Sequence, residues 1–174
     1  KLGIKTYSVH AGFFLDFGIK EIGKTIHRQE LFDKKKSINR FVNAWNILKK
    51  EANNQIDLYI ENNVLTKKNY DIFNSSKPFM LLDSEDYKYL NNLIDFKLLL
   101  DLAHLKVSSK TLKLNFLEEI NFLFSNTNYI HYSENNGLVD QNKGLNFSNQ
   151  IFKILNHQDL SNKTITVEVY ESME

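Results

Sequence analysis

Residues 96–104 read FKLLLDLAH, and this stretch decides the fold. Phe96 to Asp101 is apolar apart from Lys97 and its closing carboxylate. It is too short for a core helix, so it reads as a buried strand, and His104 follows the strand-end Asp101 three positions later. The same pattern, a short apolar run closing on a polar side chain, recurs along the chain. Ile4 to His10 (IKTYSVH), Ile56 to Glu61 (IDLYIE), Asn128 to His131 (NYIH) and Thr164 to Val169 (TITVEV) are the other strands it predicts. Phe79 to Leu82 (FMLL) is a sixth candidate, set aside as a fragment.

Helical patterns fill the intervals. In Lys34 to Lys50 the apolar residues Ile38, Phe41, Val42, Trp45 and Leu48 recur at steps of three and four, which gives one buried face with Lys-rich flanks. Ser84, followed by Glu85, Asp86, Tyr87 and Leu90, reads as a capped helix start with acids where the helix dipole favours them. One helix is predicted over Ser109 to Phe124, with Leu112, Phe116, Ile120 and Leu123 on one side, and Phe147, Ile151 and Leu155 mark another. Strand and helix alternate throughout. That order predicts parallel strands joined by crossover helices, an α/β architecture that is either doubly wound or a barrel.

Composition narrows the function. At 174 residues the chain has the size of one domain with its own core, so 1–174 reads as a single domain. Its 42% hydrophobic and 25% charged residues are those of a folded globular protein. The 22 Lys and Arg against 21 Asp and Glu leave a formal charge of +1, so no overall field draws nucleic acid or anionic lipid. With no cysteine there are no disulfides, thiolate nucleophiles or Cys-based zinc sites, and metal binding must use His, Asp and Glu. No apolar run approaches the roughly 18 residues of a membrane span. The opening KLGIKTYSVHAGFF lacks the layout of a signal peptide, so the expectation is a cytoplasmic protein without a membrane partner. The six glycines form neither GxGxxG nor GxxxxGK[ST], which removes the phosphate-loop readings. The long connection Ala11 to Asp33, with Gly12, Gly18 and Gly23, suits either a lid over a site or a surface insertion.

The chemistry lies at the strand ends. His10, Glu61, Asp101 and His131 close their apolar runs, and Glu168 sits within TVEV. In parallel α/β folds the carboxyl ends of the strands converge on one face, so these five metal-competent side chains are expected to meet. A mixed carboxylate and imidazole set suits Mn²⁺, Mg²⁺, Zn²⁺ or Co²⁺ rather than a soft metal. His104 stands close enough to Asp101 to act beside it, and Asp140 adds a carboxylate in the loop after His131. Plainer roles also fit: helix capping for Glu61, Asp101 and Glu168, helix-start packing for His104, a buried hydrogen bond for His10 and a turn for Asp140. His27 and His157 read as solvated.

Glu61-Asn62, Asp101-Leu-Ala-His104, His131 with the loop to Asp140, and Glu168 together resemble the xylose-isomerase-like superfamily, which includes sugar isomerases, sugar epimerases and endonuclease IV. The resemblance implies a (β/α) TIM-type barrel, here incomplete, with about strands 3 to 7 of the family's eight. It implies that Glu61, Asp101, His131 and Glu168 bind a divalent metal, that Glu61 and Glu168 form the catalytic acid and base pair, and that His10, His104 and Asp140 face substrate. The expected activity is isomerisation or epimerisation of a small carbohydrate or sugar phosphate, with a homo-oligomer left open. The alternatives are metal-dependent cleavage of abasic DNA and a non-catalytic relative. The nuclease branch has an Asp-x-His after the third ligand strand, where this chain has Asp140-Gln141-Asn142. No Arg follows Arg40, so a substrate phosphate would depend on Lys143 or backbone donors.

Overall fold

The computed structural model describes residues 3–21 and 24–170, and Gly23 lies outside them. Its five strands are β1 (Thr6–His10), β2 (Asp57–Glu61), β3 (Lys97–Asp101), β4 (Thr127–Tyr132) and β5 (Thr164–Val167). They form one sheet in the order β1-β2-β3-β4-β5, and every neighbouring pair is parallel. Sheet order equal to chain order, with helices between, is how consecutive β/α units build a barrel wall. Among the described residues β1 and β5 pair with no further strand, so the sheet is a half-barrel with two edges.

Successive side chains on a strand point to opposite faces. On one face Ile60, Leu98, Leu100 and Ile130 are almost wholly buried with Ile38, Trp45, Leu105, Ile120 and Leu123 from the helices. Each such Leu or Ile contributes roughly 1.5–3 kcal/mol by leaving water. The other face carries Tyr59, Leu99 and Tyr129 in phase with Glu61, Asp101 and His131. Two faces of opposite character thus separate the structural core from the polar residues.

The helices are α1 (Lys34–Ala52), α2 (Lys67–Ile72), α3 (Ser84–Asn91), α4 (Leu102–Leu112), α5 (Phe116–Ser125) and α6 (Gln150–Leu155). Three local expectations need correction, and the fragment that was set aside is no strand. The cap of α3 is Asp83, whose side chain accepts the Asp86 N–H at 2.9 Å; Ser84 instead donates its hydroxyl to Glu119 at 3.0 Å. The single helix expected over Ser109 to Phe124 is two helices. Lys113 turns left-handed at φ 60°, and Asn115 caps α5 by accepting the N–H groups of Leu117 and Glu118. Leu112 packs against the cluster of Leu15, Leu65 and Leu82, whereas Phe116, Ile120 and Leu123 pack on the main core, so the apolar spacing across the break serves two clusters. Phe79 to Leu82 forms only an isolated antiparallel bridge between Phe79 and Phe13, and Leu81 is left-handed at φ 58°. Phe147 precedes α6 and is 81% exposed, whereas Ile151 and Leu155 are buried. Among the described residues no helix is long and apolar enough to cross a membrane.

Candidate metal centre

His10, Glu61 and Asp101 are the last residues of β1, β2 and β3. Register sets His10 beside its ladder partner Glu61, and Asp101 beside its ladder partner His131. The second pairing depends on a bulge. A regular ladder from Leu98 and Thr127 would set Ile130 beside Asp101. Asn128 is the extra residue, so Tyr129 partners Leu99 and His131 partners Asp101. The Thr127 hydroxyl holds the bulge by donating to the Leu98 carbonyl at 2.6 Å and accepting the Tyr129 N–H at 3.2 Å. Glu168 lies just past β5, where its N–H donates to the Tyr132 carbonyl at 3.0 Å.

The side chains converge. His131 Nδ1 is 3.4 Å from Glu61 Oε1 and 3.5 Å from Glu168 Oε2. His104 Nδ1 is 3.8 Å from Glu61 Oε1, and its Nε2 lies 3.9 Å from Asp101 Oδ2 and 3.3 Å from Asp140 Oδ2. His10 Nε2 stands 3.9 Å from Glu61 Oε2 with half of its side chain exposed. All seven residues singled out from the sequence therefore lie in one cluster. His10 has the exposure of a rim residue rather than a buried hydrogen-bonded one.

Burial and charge act against each other here. Complete burial raises Asp101 to about 6, against the pull of His104. Burial disfavours a charge on His104, but Asp101, Asp140 and Glu61 outweigh it and raise its pKa to about 10. Burial likewise opposes ionisation of Glu61, yet His131, His10 and His104 hold it below the usual carboxylate range. His131 is raised because Glu61, Glu168 and Asp101 outweigh its burial, whereas burial prevails at His10 and lowers it.

Asp101 caps a helix and still has a second carboxylate oxygen to offer. Oδ1 caps α4 by accepting the His104 N–H at 2.7 Å, while Oδ2 is buried with no hydrogen-bond partner. His131 Nδ1 and Asp140 Oδ1 are buried and unbonded in the same way. A buried polar atom left unpaired costs on the order of 1–3 kcal/mol, and a bound group could satisfy Asp101 Oδ2 and His131 Nδ1 together. One donor atom from each of Glu61, Asp101, His131 and Glu168 fits within 4.8 Å of all the others, and His10, Glu61 and His104 satisfy the same criterion. Three carboxylates and one imidazole suit a hard or borderline divalent cation.

Other residues near the cluster were not read from the sequence as functional. Asn63 is buried and donates to the Ala11 and Met80 carbonyls at 3.0 and 2.9 Å, tying the end of β2 to the chain after β1. Lys106 reaches Glu134 at 3.3 Å and the Asn135 carbonyl at 2.8 Å, bracing the loop that carries Asp140 against α4. Polar pairs distant in sequence leave no local signal. Asn142 accepts a hydrogen bond from the Ser133 hydroxyl at 3.0 Å, which makes it a loop-structuring residue. His27 is exposed and pairs with Glu21 at 2.6 Å.

No protein-family model and no curated protein matches the sequence. The fold is similar to that of the 3-keto-D-glucoside 4-epimerase YcjR from E. coli, in its apo crystal structure, with a TM-score of 0.60 at 12% identity. The match covers 98% of this chain and 59% of that enzyme, so the chain spans about three fifths of its length. At that identity the likeness speaks for the fold alone.

Proposed function

We propose that the chain carries the active site of a divalent-metal-dependent sugar isomerase or epimerase. The observation that carries this reading is the convergence of Glu61, Asp101, His131 and Glu168, with buried, unbonded Oδ2 of Asp101 and Nδ1 of His131 among their donor atoms. The fold shared with a sugar epimerase supports the substrate class. A divalent cation held by these four residues would stabilise the negative charge that develops on substrate oxygens when a carbon-bound proton leaves.

Glu61 and Glu168 are the proton-transfer pair. Both carboxylates reach His131 Nδ1, Glu61 from the end of β2 and Glu168 from just past β5, so a sugar carbon placed between them is open to one as base and the other as acid. Glu61 is nearly buried and Glu168 is 30% exposed, so of the two carboxylates Glu168 is the one open to solvent. His104 and Asp140, in contact at 3.3 Å, orient substrate hydroxyls, and His10 does so from the exposed rim. Asn142 is committed to Ser133, which favours this reading over abasic-site cleavage.

The test is solvent exchange. The protein with Mn²⁺ is incubated in D₂O with a panel of aldoses, ketoses and their phosphates, and deuterium at carbon is followed by NMR. Incorporation into one class identifies the substrate. No exchange with any sugar, in a protein shown to bind Mn²⁺, sinks the isomerase reading and leaves a metal-binding relative without this chemistry.

A further inference from the structure

We infer that Asn62 is the positioning residue of the site, setting the spacing between Glu61 and Asp101 and the orientation of the His104 ring. This rests on the metal-centre reading above and extends it to a residue that offers no ligand atom of its own.

Asn62 follows Glu61 directly and is 1% exposed. The ladder between β2 and β3 ends with Glu61 opposite Leu99, so the backbone no longer joins the chains where the two carboxylates diverge. The Asn62 side chain supplies the missing rung. Its Nδ2 donates to the Asp101 carbonyl at 3.1 Å, and its Oδ1 accepts the Asp101 N–H at 2.7 Å. A planar amide offers one donor edge and one acceptor edge, which is what a peptide unit in a strand would present. Leu at this position would satisfy neither group, and Asp would set a second acceptor against a carbonyl oxygen.

The Asn62 backbone carbonyl has the second task. It lies 2.9 Å from His104 Nδ1, and since a carbonyl only accepts, Nδ1 carries the proton. That commits Nε2 to the side where Asp140 and Asp101 stand, at 3.3 and 3.9 Å. One residue is therefore the covalent neighbour of Glu61, the two-point partner of the Asp101 backbone and the anchor of the His104 ring. Outer residues of this kind hold ligand geometry, and their loss costs roughly 10- to 100-fold in metal affinity.

The test is Co²⁺ binding by Asn62→Ala, with the visible absorption spectrum of bound Co²⁺ recorded beside the affinity. The variant is expected to bind Co²⁺ roughly 10- to 100-fold more weakly than the parent and to show an altered ligand-field band. A variant that melts earlier yet keeps the parent's affinity and band makes Asn62 a structural residue only, and overturns the inference. If Asn62→Ala does not fold, Asn62→Asp keeps the acceptor for the Asp101 N–H and is judged by the same two readouts. A parent protein that takes up no Co²⁺ overturns the metal-centre reading and this inference together, and that failure is seen in the parent before any variant is compared.

Discussion

His104 Nε2 stands 3.3 Å from Asp140 Oδ2, joining a histidine in the first turn of α4 to a carboxylate from the loop after β4. Against the opposing effect of burial, Asp101, this contact and Glu61 together raise the His104 pKa from 6.5 to about 10. The folded state therefore binds more protons than the unfolded chain between those two values. The stability that His104 contributes is complete below about pH 6.5 and is lost as pH rises through about 10. His131, also raised, acts with the same sign. In EDTA, the urea midpoint should fall steadily between pH 6.5 and pH 10; a midpoint that climbs over that range contradicts the assigned contacts.

Metal binding should show the opposite dependence. Asp101, raised to about 6, and His131, also raised, must give up protons before their free atoms can act as ligands. Mn²⁺ affinity should rise with pH from about 5 to 7, by about tenfold per pH unit for each proton displaced. Saturation at 100 times Kd should add about 2.7 kcal/mol of stability, visible as a higher Tm. Titration calorimetry at several pH values measures the first effect, and flat affinity across the range removes Asp101 and His131 from the ligand set.

Glu168 and Asp101 should separate in mutants. Glu168 is partly exposed and follows its strand, whereas Asp101 is buried and also caps α4. Glu168→Gln should keep the fold and most Mn²⁺ binding while lowering turnover by roughly 10²- to 10⁴-fold, the usual worth of a positioned acid or base. Asp101→Asn should chiefly weaken Mn²⁺. Full residual turnover in Glu168→Gln would end its proton-transfer role.

The parallel sheet and the strand-end cluster were legible because each strand is a short apolar run whose closing polar residue interrupts the hydrophobic signal. His10, Glu61, Asp101 and His131 stand out in this way, and Glu168 was visible although it proved to lie just past β5. Helix breaks were less legible. Lys113 adopts a left-handed conformation that its side chain does not advertise, and α2, at six residues, is too short to show a period. The Asn62 clamp escaped for a different reason: its partners are Asp101 and His104, and no local pattern links side chains across that separation. The bulge at Asn128 was equally silent, since TNYIHY reads as an ordinary strand.

That bulge supplies the last prediction. His131 faces Asp101 only because Asn128 is looped out, and the Thr127 hydroxyl holds the loop by bonding the Leu98 carbonyl and the Tyr129 N–H. Thr127→Val keeps the shape and removes the hydroxyl, which takes one hydrogen-bond partner from each of these backbone groups beside a buried side chain. The cost should be about 1–3 kcal/mol in unfolding free energy. Mn²⁺ affinity should fall as well, because a strand freed to relax toward the regular ladder turns Ile130 toward Asp101 and carries His131 off the site face. Urea unfolding and Mn²⁺ titration of the one variant read both effects. A Thr127→Val protein as stable as the parent, with unchanged Mn²⁺ affinity, would show that the ladder holds this register without the hydroxyl.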